Sequence, residues 1–183
     1  MDKHLPRVIS DDERSEFFRD GVVCLRGVFD EEWIELLKAG LQKNLNAPGA
    51  RSRIYDRTDD DHFFLYDSDN WQQIPEYEEF VYQSPCAQIA AELLKAESVH
   101  FFFEAVFIRS RGVTFPTPWH QDEPYWSVEG MDTCQYLEAA GPGGTAKCTC
   151  IFAGVSPMAE PISAGRFRCT ESGWSGRGGY CVI

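Results

Sequence analysis

The spacing of apolar residues predicts two helices and a strand in the first part of the chain. "SDDERSEFFRDG" predicts a short helix in which Ser10 caps the first turn, Glu13 completes a capping box and Gly21 ends the helix. "VVCLRG" then predicts a short buried strand. In "DEEWIELLKAGLQKNL", Asp30 suits the cap of a second helix. The apolar face of this helix consists of Trp33, Leu36, Leu37, Leu41 and Leu45.

The stretch "NAPGARSRIYDRTDDDH" interrupts this pattern. It is polar and contains Pro and Gly, so it predicts a loop with Asp59, Asp60 and Asp61 exposed. An acidic run can bind a cation, but a solvated loop is the favoured interpretation.

The apolar pattern returns in the middle of the chain. "SPCAQIAAELLKA" predicts a helix with Ser84 as its cap and Pro85 at its first position. "SVHFFFEAVFIRS" is rich in aromatic and β-branched residues and predicts one or two strands within residues 99 to 109. Helices therefore come first and strands later, which is typical of an α+β fold with a sheet core.

Composition narrows the possible partners. At 183 residues the chain suits one domain, and its formal net charge of -12 disfavours nucleic acid or an anionic membrane surface. It has no apolar run of membrane-spanning length and no signal-peptide pattern, so we expect a cytoplasmic protein without membrane partners. In that compartment the seven cysteines are expected to be reduced thiols.

The composition changes near Gln135. Up to this residue the chain has 26 acidic and 13 basic residues, whereas the last 48 residues have 3 and 4. Those last residues also contain nine of the fifteen glycines and four of the seven cysteines, and they lack clear apolar periodicity. The tail therefore differs from the rest of the chain in composition and in its apolar pattern.

One short segment carries the candidate chemistry. In "TFPTPWHQDEPYW", His120 and Asp122 stand two positions apart in an aromatic setting. If this segment is a strand, both side chains project to one face and Gln121 projects to the other. A histidine and an acid so placed, together with a more distant histidine, form the facial triad of non-heme Fe(II) oxygenases. Taken alone, the triplet favours a simpler interpretation, a hydrogen bond between a surface histidine and aspartate.

The surrounding sequence resembles a known family. "FFFEAVFIRSRGVTFPTPWHQDEPYWSVEGMDTCQ" and "FFRDGVVCLRGVFDEEWIELL" are similar to the phytanoyl-CoA dioxygenase family, and together they cover most of residues 10 to 135. The resemblance implies a double-stranded β-helix (a cupin-like jelly-roll) with N-terminal helices. It also implies hydroxylation of a small organic substrate with Fe(II), the cosubstrate 2-oxoglutarate and ascorbate as a further cofactor.

The resemblance assigns roles to residues of this sequence. His120 and Asp122 match the first two iron ligands, and Gln121 and Arg109 match positions near the 2-oxoglutarate. For Arg109, a solvated charge at a strand end is an equally good interpretation. Three aromatic residues would line or brace the site, although core packing is the better interpretation for them. They are Trp119, Tyr125 and Trp126.

The family pattern is incomplete after "TCQ". Members continue with a Trp-x-x-Leu-Asp-Pro-Val strand, then a Gly-Ser-His whose histidine is the third iron ligand, and then an arginine for the 2-oxoglutarate tail. The other histidines of this chain, His4, His62 and His100, all precede the motif. As written, the chain lacks the third ligand.

The tail becomes family-like when its codons are shifted by one base. Triplets read from the second base of the Leu137 codon permit "WKQLDPVARQNVPVYLRGSHRW", and the last tryptophan is forced because ATG followed by G allows no other residue. The histidine codon would straddle Ser156 and Pro157. We infer that residues from about Tyr136 to Ile183 are translated out of frame.

Residues 1–135 are thus expected to hold the N-terminal part and first half of a dioxygenase domain, followed by a poorly structured tail at 136–183. The chain is either an oxygenase acting on a small molecule or an inactive remnant without the distal histidine and arginine. A zinc site on Cys148 and Cys150 is disfavoured, because the spacings to the other cysteines match no zinc pattern. The substrate and the oligomeric state stay open.

Overall fold

Helices and antiparallel strands alternate along the first two thirds of the chain. The computed structural model describes residues 4–57, 63–110, 133–140, 149–153 and 180–182. The helices are α1 (Asp11–Asp20), α2 (Glu31–Asn46), α3 (Pro75–Gln83) and α4 (Cys86–Leu94). The strands are β1 (Val22–Leu25), β2 (Arg53–Arg57), β3 (Phe63–Ser68), β4 (Ala105–Arg109), β5 (Cys134–Ala140), β6 (Thr149–Ala153) and β7 (Tyr180–Val182). The predicted α+β class is confirmed.

The strands form one sheet in the order β1-β6-β5-β7-β4-β3-β2. Every neighbouring pair is antiparallel. Strands β2, β3 and β4 follow each other in space, whereas β1 lies at the opposite edge, beside β6. The strand before the His-x-Asp segment, β4, therefore lies inside the sheet, between β3 and β7.

The predicted starts of α1 and α2 are confirmed. The Ser10 side chain accepts a hydrogen bond from the Glu13 N–H, and the Glu13 carboxylate accepts one from the Ser10 N–H, which completes the capping box. Gly21 ends α1 with φ of 72°, a left-handed conformation that glycine adopts without strain. Asp30 caps α2 by accepting from the Trp33 N–H at 3.0 Å.

Two apolar clusters hold the helices to the sheet. The first contains buried residues of α1, β1 and α4, among them Phe17, Leu25 and Leu93. The second joins α2 and α3 to β3 and β4. It contains Leu37, Leu41, Leu65, Ile74, Tyr77, Val106 and Ile108. Burial of this kind is the main favourable term in folding.

Several predictions of secondary structure need correction. The predicted polar loop contains strand β2, whose exposed residues hide its strand character because β2 is an edge strand. Within the predicted strand region 99–109, only Ala105–Arg109 is a strand. Helix α4 begins at Cys86, with Pro85 as its N-cap, and Ser84 instead ends α3.

The boundary predicted near residue 135 falls inside β5. At its start, the Tyr136 hydroxyl donates to the carbonyl of Cys86 at 2.5 Å, and the Tyr136 ring packs against the first cluster. Farther on, the tail contributes β6 and β7 to the sheet by backbone pairing. Residues 141–148 and 154–179 lie outside the described part of the chain.

Candidate functional site

Strands β3 and β4 present different residues on their two faces. Leu65, Val106 and Ile108 pack on α2 and α3. Because side chains alternate along a strand, the residues between them lie on the opposite face. We call this opposite side of β2, β3 and β4 the aromatic face. Its aromatic residues, together with the arginine that stacks on them, are Tyr55, Phe64, Tyr66, Phe107 and Arg109.

The rings of the aromatic face form a connected ladder. Ring centroids are 5.3 Å apart for Tyr55 and Phe64, 6.3 Å for Phe64 and Phe107, and 5.1 Å for Tyr66 and Phe107. These pairs are tilted by 35° to 56°, within the range of favourable aromatic contacts. Phe64 is 4% exposed and forms the floor, whereas Tyr55 is 47% exposed. Tyr55 lies at a bulge in the pairing of β2 with β3.

Arg109, predicted to contact 2-oxoglutarate, is the last residue of β4. It pairs in register with Phe64, and its guanidinium carbon lies 4.3 Å from the centroid of that ring. A cation over a ring face is attracted by the electrons of that face, so Phe64 helps to position the guanidinium on the sheet. The strand end is fixed by Ser110, whose hydroxyl accepts from the Phe63 N–H at 2.7 Å. Arg109 is therefore a positioned cation on the aromatic face.

A buried polar cluster lies at the other end of β3. Asp67 is fully buried, and its Oδ2 accepts from the Asn44 side-chain amide at 2.8 Å and from the Gly49 N–H at 2.7 Å. Its Oδ1 accepts from the Ser68 N–H at 2.9 Å. These bonds satisfy the carboxylate and tie the end of α2 and the following loop to the sheet.

Glu104, just before β4, is the second acid of this cluster. It is 5% exposed, and its Oε1 accepts from the Asn70 N–H at 2.6 Å. Within the described ranges its Oε2 and the Tyr77 hydroxyl have no hydrogen-bond partner. Burial raises the pKa of Glu104 to about 7, against the lowering effect of the Asn70 N–H. Burial and the nearby Glu104 and Asp67 carboxylates also raise the pKa of Tyr77.

The predicted iron ligands His120 and Asp122 and their neighbour Gln121 lie outside the described residues, as do Trp119, Tyr125 and Trp126. Asp59 to Asp61 and the tail cysteines Cys148 and Cys169 also lie outside them. Among the residues that are described, no three His, Cys, Asp or Glu side chains are grouped to hold a metal. The described structure thus positions Arg109 and leaves the remaining predicted site residues as predictions.

Two further expectations concern the cysteines and the membrane. Cys24, Cys86 and Cys134 are thiols rather than members of disulfides, and burial raises the pKa of the Cys134 thiol to about 11. Such a shift keeps the thiol protonated and unreactive. In the part of the chain that is described, no helix combines the length and apolarity needed to cross a bilayer.

Comparison with known proteins decides the family. The sequence matches the phytanoyl-CoA dioxygenase (PhyH) family over residues 17–146, which includes β4, the His-x-Asp segment and β5. The chain belongs to this family. The match agrees with the family resemblance that the His-x-Asp segment and its surroundings indicated. No curated protein matches the chain.

Solved structures share the fold, and 29 chains match it. The α-ketoglutarate-dependent carbocyclase SnoK of nogalamycin biosynthesis is 21% identical, with a TM-score of 0.62 over 73% of this chain. The chain spans about half of SnoK, 51% of its length. AviO1 from Streptomyces viridochromogenes Tue57 is 15% identical, with a TM-score of 0.66 over 96% of this chain and 94% of AviO1. EctD from S. alaskensis, crystallised with 2-oxoglutarate and 5-hydroxyectoine, is 14% identical, with a TM-score of 0.58, covering 100% of this chain and 75% of EctD.

Sequence reasoning missed most of the aromatic face and the buried polar cluster. Both depend on β2 and β3, for which no strand was predicted. The apolar run "FFLY" was a usable signal for β3, although it is short, and the mostly polar "RIYDR" offered little for β2.

Proposed function

We propose that this chain has the scaffold of an oxygenase that hydroxylates a small organic substrate with Fe(II) and 2-oxoglutarate. The family match over residues 17–146 carries the proposal, because it contains the His-x-Asp segment together with the strand that precedes it. The antiparallel sheet, with α2 and α3 packed on one face of β3 and β4, supports a double-stranded β-helix as the complete fold. Ascorbate would serve to keep the iron reduced.

The donor set of the motif suits iron. An imidazole from His120 and a carboxylate from Asp122 are two of the three ligands of a facial triad. When bound, Fe(II) with 2-oxoglutarate and oxygen supplies the oxidising power for hydroxylation. The described residues provide no competing metal cluster, so the motif is the best candidate for the metal site.

Arg109 and Gln121 would bind the cosubstrate. The Arg109 guanidinium is positioned by Phe64, and its paired N–H donors match a carboxylate group of 2-oxoglutarate. Gln121 offers an amide N–H₂ donor and a carbonyl acceptor from between the two ligands. These two side chains would orient 2-oxoglutarate and thereby fix the position of the substrate C–H bond.

The third ligand is expected from the shifted frame of the tail. Every histidine other than His120 precedes the motif, and the permitted Gly-Ser-His falls between Gly154 and Pro157. A chain with two ligands should hold Fe(II) weakly. We therefore propose that full metal binding requires the downstream frame to be restored.

Anaerobic equilibrium dialysis with Fe(II) tests this proposal. The chain as written, a frame-restored chain, and the restored chain carrying His120→Ala or Asp122→Ala would be compared. We expect tight binding of one iron only by the restored chain, and weak binding by the other three. Glu97→Gln is a control on an exposed acid that should change nothing. Equal Fe(II) binding by the restored chain and its His120→Ala variant would show that the His-x-Asp motif does not bind the metal.

A further inference from the structure

The aromatic face offers a surface with a definite chemical preference. Phe64 is the buried floor, Tyr66 and Phe107 are half-buried, and Tyr55 is 47% exposed beside them. The four rings contact one another in a tilted ladder, so each is fixed by its neighbours. Rigid aromatic side chains of this kind lose little conformational entropy when a ligand binds.

Charges border this ladder on both sides. Tyr66 pairs in register with Arg53 on β2 and with Phe107 on β4, so these three residues form one row across the strands. The next row is Asp56, Phe64 and Arg109. The face thus carries two cations and one anion in a chain of net charge -12. Within the described residues Arg53 has no ion-pair partner.

We propose that the aromatic face binds the organic substrate, and that this substrate is a planar aromatic or conjugated ring compound that carries an acidic group. The inference rests on the proposed oxygenase function, because it deepens the substrate class of the same site. The ring system would lie on Tyr66 and Phe107, and its acidic group would lie toward Arg53. Arg109 would then remain for the cosubstrate.

A planar ring is favoured over a saturated one for a physical reason. An aromatic and a saturated ring of the same size bury similar apolar surface when they bind. Only the aromatic ring also stacks on Tyr66, Phe107 and Tyr55. This addition corresponds to roughly a 2- to 10-fold gain in affinity. The acidic group adds charge attraction at the exposed Arg53, which is worth roughly 2- to 5-fold.

Three probes of similar size test the proposal by isothermal titration calorimetry. They are 2-naphthoate, the neutral 2-naphthamide, and the saturated decalin-2-carboxylate. We expect 2-naphthoate to bind most tightly, with the other two weaker by roughly 2- to 10-fold. The titration needs no iron, 2-oxoglutarate or oxygen. A failure of succinate formation would therefore leave this result intact, and the reverse also holds.

Matched variants locate the binding. Phe107→Leu and Tyr66→Leu should each abolish the preference for the aromatic over the saturated acid, and Arg53→Gln should abolish the preference for the acid over the amide. Tyr82→Leu and Arg26→Gln remove an exposed ring and an exposed cation elsewhere, and should leave both preferences unchanged. Equal affinity for the three probes, absence of 2-naphthoate binding at millimolar concentration, or equal losses in the control variants would overturn the proposal. The probe comparison on the unchanged chain stays decisive if a variant does not fold.

Discussion

The part of the chain up to Ser110 and the tail after Gln135 enter the same sheet in different ways. In the first part, capping residues, apolar periodicity and burial agree, as for Leu37 of α2 and Val106 of β4, which belong to one buried cluster. In the tail, β6 and β7 join the sheet through backbone pairing, in a sequence without apolar periodicity and with few charges. Backbone pairing accepts almost any short apolar run, whereas agreement across all levels is the mark of a selected sequence. This difference in sequence pattern is the reason for the prediction that the tail is out of frame.

Hydrogen exchange offers the largest expected contrast between the two regions. If the tail is out of frame, its strands open locally at little cost in free energy. We expect amides of β3 and β4 to exchange orders of magnitude more slowly than amides of β6 and β7, measured by mass spectrometry or NMR. Amides of β6 and β7 that are as well protected from exchange as those of β3 would contradict the proposed difference between the two regions.

A core substitution should show that the first region carries the stability. Leu37 is 1% exposed in the second cluster, so Leu37→Ala should lower the free energy of unfolding by about 2–5 kcal/mol. The neighbouring Leu36 is only half-buried, and Leu36→Ala should cost clearly less. Urea unfolding of both variants measures the difference. Equal costs would mean that the second cluster is not the main core.

Glu104 should make stability depend on pH. Its pKa is raised to about 7 in the folded protein from an ordinary 4.5, so the folded state binds the proton more tightly. Stability is then full below about pH 4.5, falls as pH rises toward 7, and stays low above that. Glu104→Gln should remove this fall and stabilise the protein at pH 8 by about 3 kcal/mol at most, since one pKa unit equals 1.36 kcal/mol.

Urea unfolding at pH 4.5 and pH 8 measures this effect. The exposed Glu97→Gln is the matched control and should show no such change. A Glu104→Gln variant that is less stable than the original chain at pH 8 would contradict the buried-acid account.

The smallest expected effect is at the start of α1. Ser10→Ala removes the side-chain oxygen that accepts from the Glu13 N–H, and should cost about 1 kcal/mol. Ser15→Ala, also on α1 but away from its cap, is the control. Thermal melting followed by circular dichroism compares the two. A cost that is the same for both would show that the cap contributes nothing specific.

The sequence predicted the elements whose signals are local. Ser10 with Glu13, and Asp30 before Trp33, mark helix starts through hydrogen bonds within four residues. The sequence did not reveal α3, although Pro75 stands at its first position. It also missed β2 and β3. An edge strand with exposed charges, such as β2 with Arg53, looks like a loop.

The sequence predicted the family more readily than the spatial neighbours of the candidate site residues. The family, with His120 and Asp122 as predicted ligands, came from a short and specific pattern. The neighbours of Arg109 did not, because Phe64 and Arg109 lie 45 positions apart and meet only through strand pairing. Contacts between residues so far apart in sequence depend on which strands pair and in which register, and a local pattern does not predict this pairing.

Succinate formation tests the central claim most directly. The chain as written and the frame-restored chain would be incubated with Fe(II), ascorbate, 2-oxoglutarate and oxygen, and succinate would be measured over time. The restored chain should produce succinate steadily. The chain as written should produce little, because a site with only the two predicted ligands and no distal arginine would hold Fe(II) and 2-oxoglutarate weakly. Robust succinate formation by the chain as written would contradict the account, and would mean that a residue of the present chain completes the site.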